Sequence, residues 1–426
     1  MSSGCKLHRD PKAGKCKFLP LGRWRGTLQQ EDIPLRYMVL TDNLEVVGVK
    51  LKASWQQTKK ANGDIIQERI TRTINAWKSG KFMSLSSRSW SINSYALTKV
   101  WFRCHTVDLC VSDISSVTSK VKSWLFQDQL EKPEEMILFR STSHGGLGLH
   151  NVKFRALATM IRTFLETASH PLFEHSLFYT VLYRVYVLED DTILSLPPMP
   201  PFFSPYFFSC IRWVKENTPL NISTMSTAQW YRALLEKEVT MAEGDNNTME
   251  YIKSRVELAS PDTDWEESWR KARLKGLGPE DTSFLWKLLH KLLPTEQRLA
   301  RILPNTSDLC KYCPNPPPAD LHHCFFDCIK TENVSRSLVR AIRQHDPSIT
   351  TDGLLRLELQ ADGANELPLV WVTAHTLNYI WKCRSGGKVA DLILTRAMLE
   401  SQVNLLRETR YHAHVPMISE IFENLM

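Results

Sequence analysis

Cys310-Lys-Tyr-Cys313-Pro-Asn-Pro-Pro-Pro-Ala-Asp-Leu-His322-His323-Cys324-Phe-Phe-Asp-Cys328 is the stretch that decides how the chain is read. Two thiols separated by two residues can grip one metal ion from a single tight turn. A His/Cys pair a short loop later completes a tetrahedron, the geometry zinc takes. The spacing assigns Cys310, Cys313, His323 and Cys328 as ligands. His322 and Cys324 stay open as alternatives, because six candidate donors compete for four positions. Four protein donors leave no coordination position for water, so the site is expected to be structural and not catalytic.

Working outward, the helical pattern on the N-terminal side runs Phe284-Leu-Trp-Lys-Leu-Leu-His290-Lys-Leu-Leu-Pro294-Thr295, with Pro294-Thr295 dividing two helices. His290 lies on an apolar face and is expected to be packed in the core. On the C-terminal side, residues 333–343 and 367–384 read as helices, followed by a long final helix through Leu405 and Arg410. The tail after His412 is expected to be loose.

The 426 residues are enough for two to four domains, and 43% apolar with 23% charged residues is a globular composition. No apolar run approaches the roughly 20 residues that span a bilayer, and the N-terminus lacks a signal-peptide core. The ten cysteines form no dense framework, which suits a reducing compartment. The expected location is nuclear or cytoplasmic, neither secreted nor membrane-bound. Charge is uneven: residues 1–160 hold 25 Lys/Arg against 13 Asp/Glu, and the remainder holds 28 against 33. A basic block on an otherwise neutral chain is the electrostatic footprint of a nucleic-acid binder.

In chain order, Lys15–Arg25 and Leu44–Leu51 read as short β-strands, the second interrupted at Gly48. Ile65, Ile66, Ile70, Ile74 and Trp77 recur at helical spacing. Ser91 to Arg103 reads as one further amphipathic helix. Lys78, Lys81, Arg88, Lys99 and Arg103 could then track a phosphate backbone. His144-Gly-Gly-Leu-Gly-Leu-His150 has the wrong glycine spacing for a dinucleotide fingerprint and is expected to make a tight turn. Asp190-Asp191 follows a tyrosine, as in polymerase metal hairpins, but runs directly into the proline-rich stretch 196–205. It is read as unrelated to two-metal chemistry.

Taken together, these pieces resemble the C-terminal part of a non-LTR (LINE-type) retrotransposon reverse transcriptase. The matching segments are Leu19-Pro-Leu-Gly-Arg-Trp, Val46-Val-Gly-Val, Trp77-Lys-Ser-Gly-Lys-Phe-Met-Ser-Leu and Ile92-Asn-Ser-Tyr-Ala-Leu-Thr-Lys-Val-Trp. Gly145-Gly-Leu-Gly-Leu, the Phe284 to Thr295 run, the Cys310 to Cys328 stretch and Tyr379-Ile-Trp-Lys-Cys-Arg384 follow in the family's order. The resemblance implies the end of a polymerase palm over residues 1–52 and a thumb-like bundle over 53–150. A helical linker over 151–262 and a reverse-transcriptase zinc-binding-like domain over 263–426 complete it. The expected fold is mainly α, with a small β remnant at the N-terminus, a thumb-like helical bundle, a helical linker and a small zinc-knuckle module. The family's catalytic aspartates lie ahead of residue 1 in this register, so the chain as it stands is not expected to polymerise DNA. Ser86-Ser87 replaces the basic residue and glycine more usual there. Expected partners are RNA and/or DNA as a template–primer-like duplex, and a polymerase-bearing retrotransposon protein.

Overall fold

The computed structural model describes residues 17–19, 29–32, 39–77, 83–127, 133, 135–169, 177–188, 203–243, 259–360 and 363–425. Helices dominate, as the periodicity implied. The chain divides into two compact units that interleave along the sequence: residues 1–78, 91–124 and 150–248 form the first, and 79–90, 125–149 and 249–426 the second.

In the first unit, the short strands β1 (Lys17–Phe18) and β2 (Val39–Leu40) pair in parallel. β3 (Asn43–Val46) and β4 (Val49–Lys52) form an antiparallel hairpin whose turn is Val47-Gly48, both at positive φ. Helix α1 (Trp55–Ala76) starts at Ser54, whose hydroxyl accepts from the Gln57 N–H at 3.2 Å. Its buried face carries Ile66 and Ile70, as the sequence spacing required. The same face closes the open edge of β4. The Asn62 amide accepts from Lys50 N–H at 3.1 Å and donates to Lys50 C=O at 2.7 Å, and Thr58 Oγ1 accepts from Lys52 N–H at 2.9 Å. A side chain thus takes the place of a neighbouring strand, one way an edge is protected from pairing with another chain.

The run from Ser91 to Arg103 is not one regular helix. After α2 (Leu85–Ser91), residues Ile92–Ala96 form a π-turn, closed by Leu97 N–H to Ile92 C=O at 2.9 Å, and α3 (Thr98–Cys104) follows. One extra residue in a turn rotates everything after it by about 100°. That phase shift carries Arg103 into the interior. Further on, α4 (Val111–Phe126) and α5 (Glu135–Phe139) lead to the glycine stretch. The core of the first unit is built by α6 (Val152–Ser169), α7 (Leu177–Val187), α8 (Pro205–Asn217) and α9 (Thr227–Glu243), around Phe164, Phe207, Phe208 and Trp230. Asp190, Asp191 and most of the proline-rich stretch lie outside the described residues.

The second unit is organised by α15 (Glu366–Ser385), whose buried residues run round the whole helix from Leu367 to Arg384. A helix apolar on all sides belongs inside a core. Around it lie α10 (Trp265–Lys271), α11 (Pro279–Leu289), α12 (Glu296–Ile302), α13 (Glu332–Arg343), α14 (Thr351–Arg356) and α16 (Leu392–Arg407). The expected loose tail is corrected here. Val415–Glu423 is a helix, α17, that buries Ile418, Ile421 and Phe422 against α15 and α16.

The glycine stretch serves packing in this unit. Gly145 (φ +74°) lies so close to Trp269 that a Cβ would come within 2.5 Å of the indole. Its carbonyl accepts from Trp286 Nε1 and pairs with His290 Nε2, both at 2.8 Å. His290 is a core histidine, as expected, at 5% exposure. Gly145→Ala should cost about 2–4 kcal/mol, combining the strain of positive φ with overpacking. Gly148→Ala, also at positive φ but with only Thr142 Cγ2 near at 3.6 Å, should cost about 1–2 kcal/mol. Denaturant midpoints compare the two, and equal losses would remove the packing role of Gly145.

Candidate metal centre

The knuckle is assembled from two local structures. The first is the turn after α12, where Cys310 N–H donates to Pro317 C=O and Ala319 N–H to Asp308 C=O, both at 2.8 Å. These bonds fold the proline-rich loop back on itself, so Cys310 and Cys313 face one point. The second is a π-turn at His323–Asp327, closed by Cys328 N–H to His323 C=O at 2.9 Å. In an α-helix, residues five apart diverge by about 140°. The wider π-turn returns its fifth residue to the same side, and His323 and Cys328 meet.

Cys310, Cys313, His323 and Cys328 place one ligand atom each within 4.8 Å of the others. Cys310 Sγ and Cys328 Sγ are 3.8 Å apart, and Cys313 Sγ lies 3.6 Å from His323 Nε2. A disulfide needs about 2.05 Å. Two sulfurs each about 2.3 Å from a tetrahedral ion stand about 3.8 Å apart. The four side chains can therefore hold a metal ion.

Both alternative ligands are engaged elsewhere. His322 Nδ1 lies 3.0 Å from Asp327 Oδ2 and its Nε2 lies 3.0 Å from Thr351 Oγ1. Cys324 Sγ points to the Ala319 carbonyl at 3.7 Å, and burial pushes its thiol up to about 12. Cys310 behaves differently. Burial pushes its thiol up, but Tyr312 N–H, His323, Cys313 N–H and Arg384 outweigh that and bring it down to about 6. Burial raises Cys328 to about 11. An isolated pair of facing thiols cannot both ionise readily. A cation between them removes that conflict.

Behind the thiols stands a cation that the spacing argument did not single out. Arg384, 2% exposed at the end of α15, sets Nη2 2.8 Å from Glu296 Oε2 and 3.7 Å from Cys310 Sγ. Its guanidinium covers the Tyr312 ring, and Tyr312 Oη donates to the Arg384 carbonyl at 2.9 Å. In the sequence Arg384 stood out as the end of the family-like segment Tyr379 to Arg384, with nothing to link it to the cysteines.

The basic residues proposed for phosphate contact are placed one by one. Lys78 and Lys81 lie outside the described residues. Arg88 belongs to the second unit, half-buried, with Nη1 on the Leu125 carbonyl at 2.9 Å. Lys99, in the first unit, is half-buried and hydrogen-bonded to the Thr73 hydroxyl. Arg103 is 1% exposed and donates to the Gly48 carbonyl at 3.1 Å. At that depth it holds the hairpin turn and does not present its charge to a ligand.

No protein-family model matches the chain, and no curated protein matches it. No described helix is long and apolar enough to cross a membrane.

Proposed function

We propose that this chain is a zinc-stapled nucleic-acid-binding protein derived from a non-LTR retrotransposon reverse transcriptase, acting by binding and not by catalysis. The observation that carries the reading is the Cys3His cluster, whose 3.8 Å sulfur separation fits a tetrahedral ion. Three thiolates and an imidazole favour zinc over the hard cations, which prefer oxygen. All four donors come from the protein, so zinc would fold the knuckle and leave no position for a reacting water. The nucleic-acid part rests on the excess of Lys/Arg in residues 1–160 and on the ordered series of family-like segments. By that resemblance the segments include a thumb, which in the family holds the template–primer duplex, and a C-terminal part that helps grip RNA and target DNA. A nuclear or cytoplasmic location accompanies this reading.

The test uses the full chain, because the first packing unit draws on residues up to 248. Binding to an RNA–DNA hybrid, an RNA hairpin and single-stranded DNA is titrated against salt. The logarithm of affinity should fall linearly with the logarithm of salt, by about 0.7–0.9 per phosphate contact. A zinc-loaded, folded chain that binds none of the three at low salt would overturn the reading.

A further inference from the structure

A cleft of about 400 Å³ opens in the second unit beside the knuckle. We propose that it binds one unstacked base, with its flanking phosphates, of a single-stranded nucleic acid. This rests on the nucleic-acid reading above and gives that reading a location outside the basic N-terminal block. The volume lies in the range of small-ligand sites. Its buried apolar lining residues are Trp265, Leu288 and Leu289, a floor at 8%, 1% and 2% exposure. Lys291, Arg298 and Arg301 line it as well. The side chains of Lys291 and Arg301 are exposed and make no hydrogen bond or ion pair among the described residues. Arg298 Nη1 is anchored on the Lys291 carbonyl at 2.9 Å, which ties this guanidinium to the same loop.

Two carboxylates also line the cleft, and one of them is already committed. Asp320 Oδ1 accepts from the His323 N–H at 2.8 Å, while Asp352 is exposed. The three cations named above therefore outnumber the carboxylates. An apolar floor beneath a basic rim suits an unstacked base with a phosphate on either side. A duplex keeps its base faces inside the stack and offers nothing to such a floor. The wall residues Leu321 and His322 come directly before the ligand His323. The fold of the knuckle thus sets the shape of the cleft.

The experiment measures fluorescence anisotropy of a labelled single-stranded RNA with the zinc-loaded full chain, the Lys291→Glu/Arg301→Glu double variant, and an Arg340→Glu control. Arg340 is exposed and outside the cleft. The double variant should bind at least about tenfold more weakly, with a salt slope smaller by about one to one and a half. The control should stay within about twofold, the change expected for a charge that meets no phosphate. An RNA of the same length with abasic sites should also bind more weakly to the parent chain. If the parent binds RNA and the double variant binds as well, the cleft is overturned and the nucleic-acid reading stands. If the abasic strand binds equally, the base-binding claim falls. If the parent binds no single strand but binds duplex, the cleft falls alone. If it binds neither, the functional reading falls with it.

Discussion

Cys310→Ser is expected to abolish stoichiometric metal binding and to unfold the segment from Leu309 to Cys328. A structural zinc site of this type contributes about 10–16 kcal/mol of apparent binding energy. Apart from Phe325 and Phe326, which reach the core of the second unit, little else holds the segment in place. Its regular structure among the described residues is one isolated bridge, Leu309 to Pro318, and the five-residue π-turn. The buried residues clustered with it are Cys310, Ala319, Cys324 and Cys328, three of them thiols. Cys324→Ser supplies the comparison. It also removes a fully buried thiol, but its sulfur faces the Ala319 carbonyl and not the cluster. That variant should retain one metal ion per chain. Metal content by mass spectrometry, with the sulfur charge-transfer bands of a cobalt-substituted chain, separates the two. Full metal retention in Cys310→Ser would sink the ligand set.

Arg384→Met is expected to have the second-largest effect, about 3–5 kcal/mol, the usual loss when one partner of a buried ion pair is removed. The Arg384 side chain is 3% exposed and that of Glu296 is 13% exposed. Methionine fills much of the volume but leaves the Glu296 carboxylate with Lys311 at 3.9 Å as its remaining ionic partner. It also strips one donor from Cys310 Sγ and one of the three cations over the Tyr312 ring, leaving Lys311 and Lys330 there. The double change Arg384→Met with Glu296→Gln should be milder than the two single losses added together, because it leaves no unpaired buried charge. Chemical denaturation of the metal-loaded chain measures the cycle, and chelator-driven metal release should be faster in Arg384→Met. A loss below about 1 kcal/mol, typical of an exposed pair, would show that the pair is not buried in solution.

The metal ligands were legible because a chelating turn is a local object. Two thiols two residues apart define one turn whatever surrounds it, and the structure retains the four residues that spacing favoured. The choice of His323 over His322 was not local in that sense. It depends on a π-turn, and on Asp327 and Thr351 occupying both nitrogens of His322. The charged residues fared differently for the same reason. A helical wheel drawn through Ser91 to Arg103 assumes constant phase, and the π-turn at Ile92–Ala96 breaks it. Arg103 then turns inward to the Gly48 carbonyl. The tail after His412 carries apolar residues at helical spacing, but a nine-residue helix is too short to be stable alone and forms only where it docks.

The mainly helical class, the position of the knuckle and its six candidate donors were thus readable from the chain alone, because each follows from periodicity or spacing over a few residues. Only the tertiary structure decided which cations are buried, how the β4 edge is closed by Asn62, and that Arg384 stands behind Cys310. Those contacts join residues 12 to 74 positions apart, and burial and charge pairing are set by whatever the whole fold brings alongside.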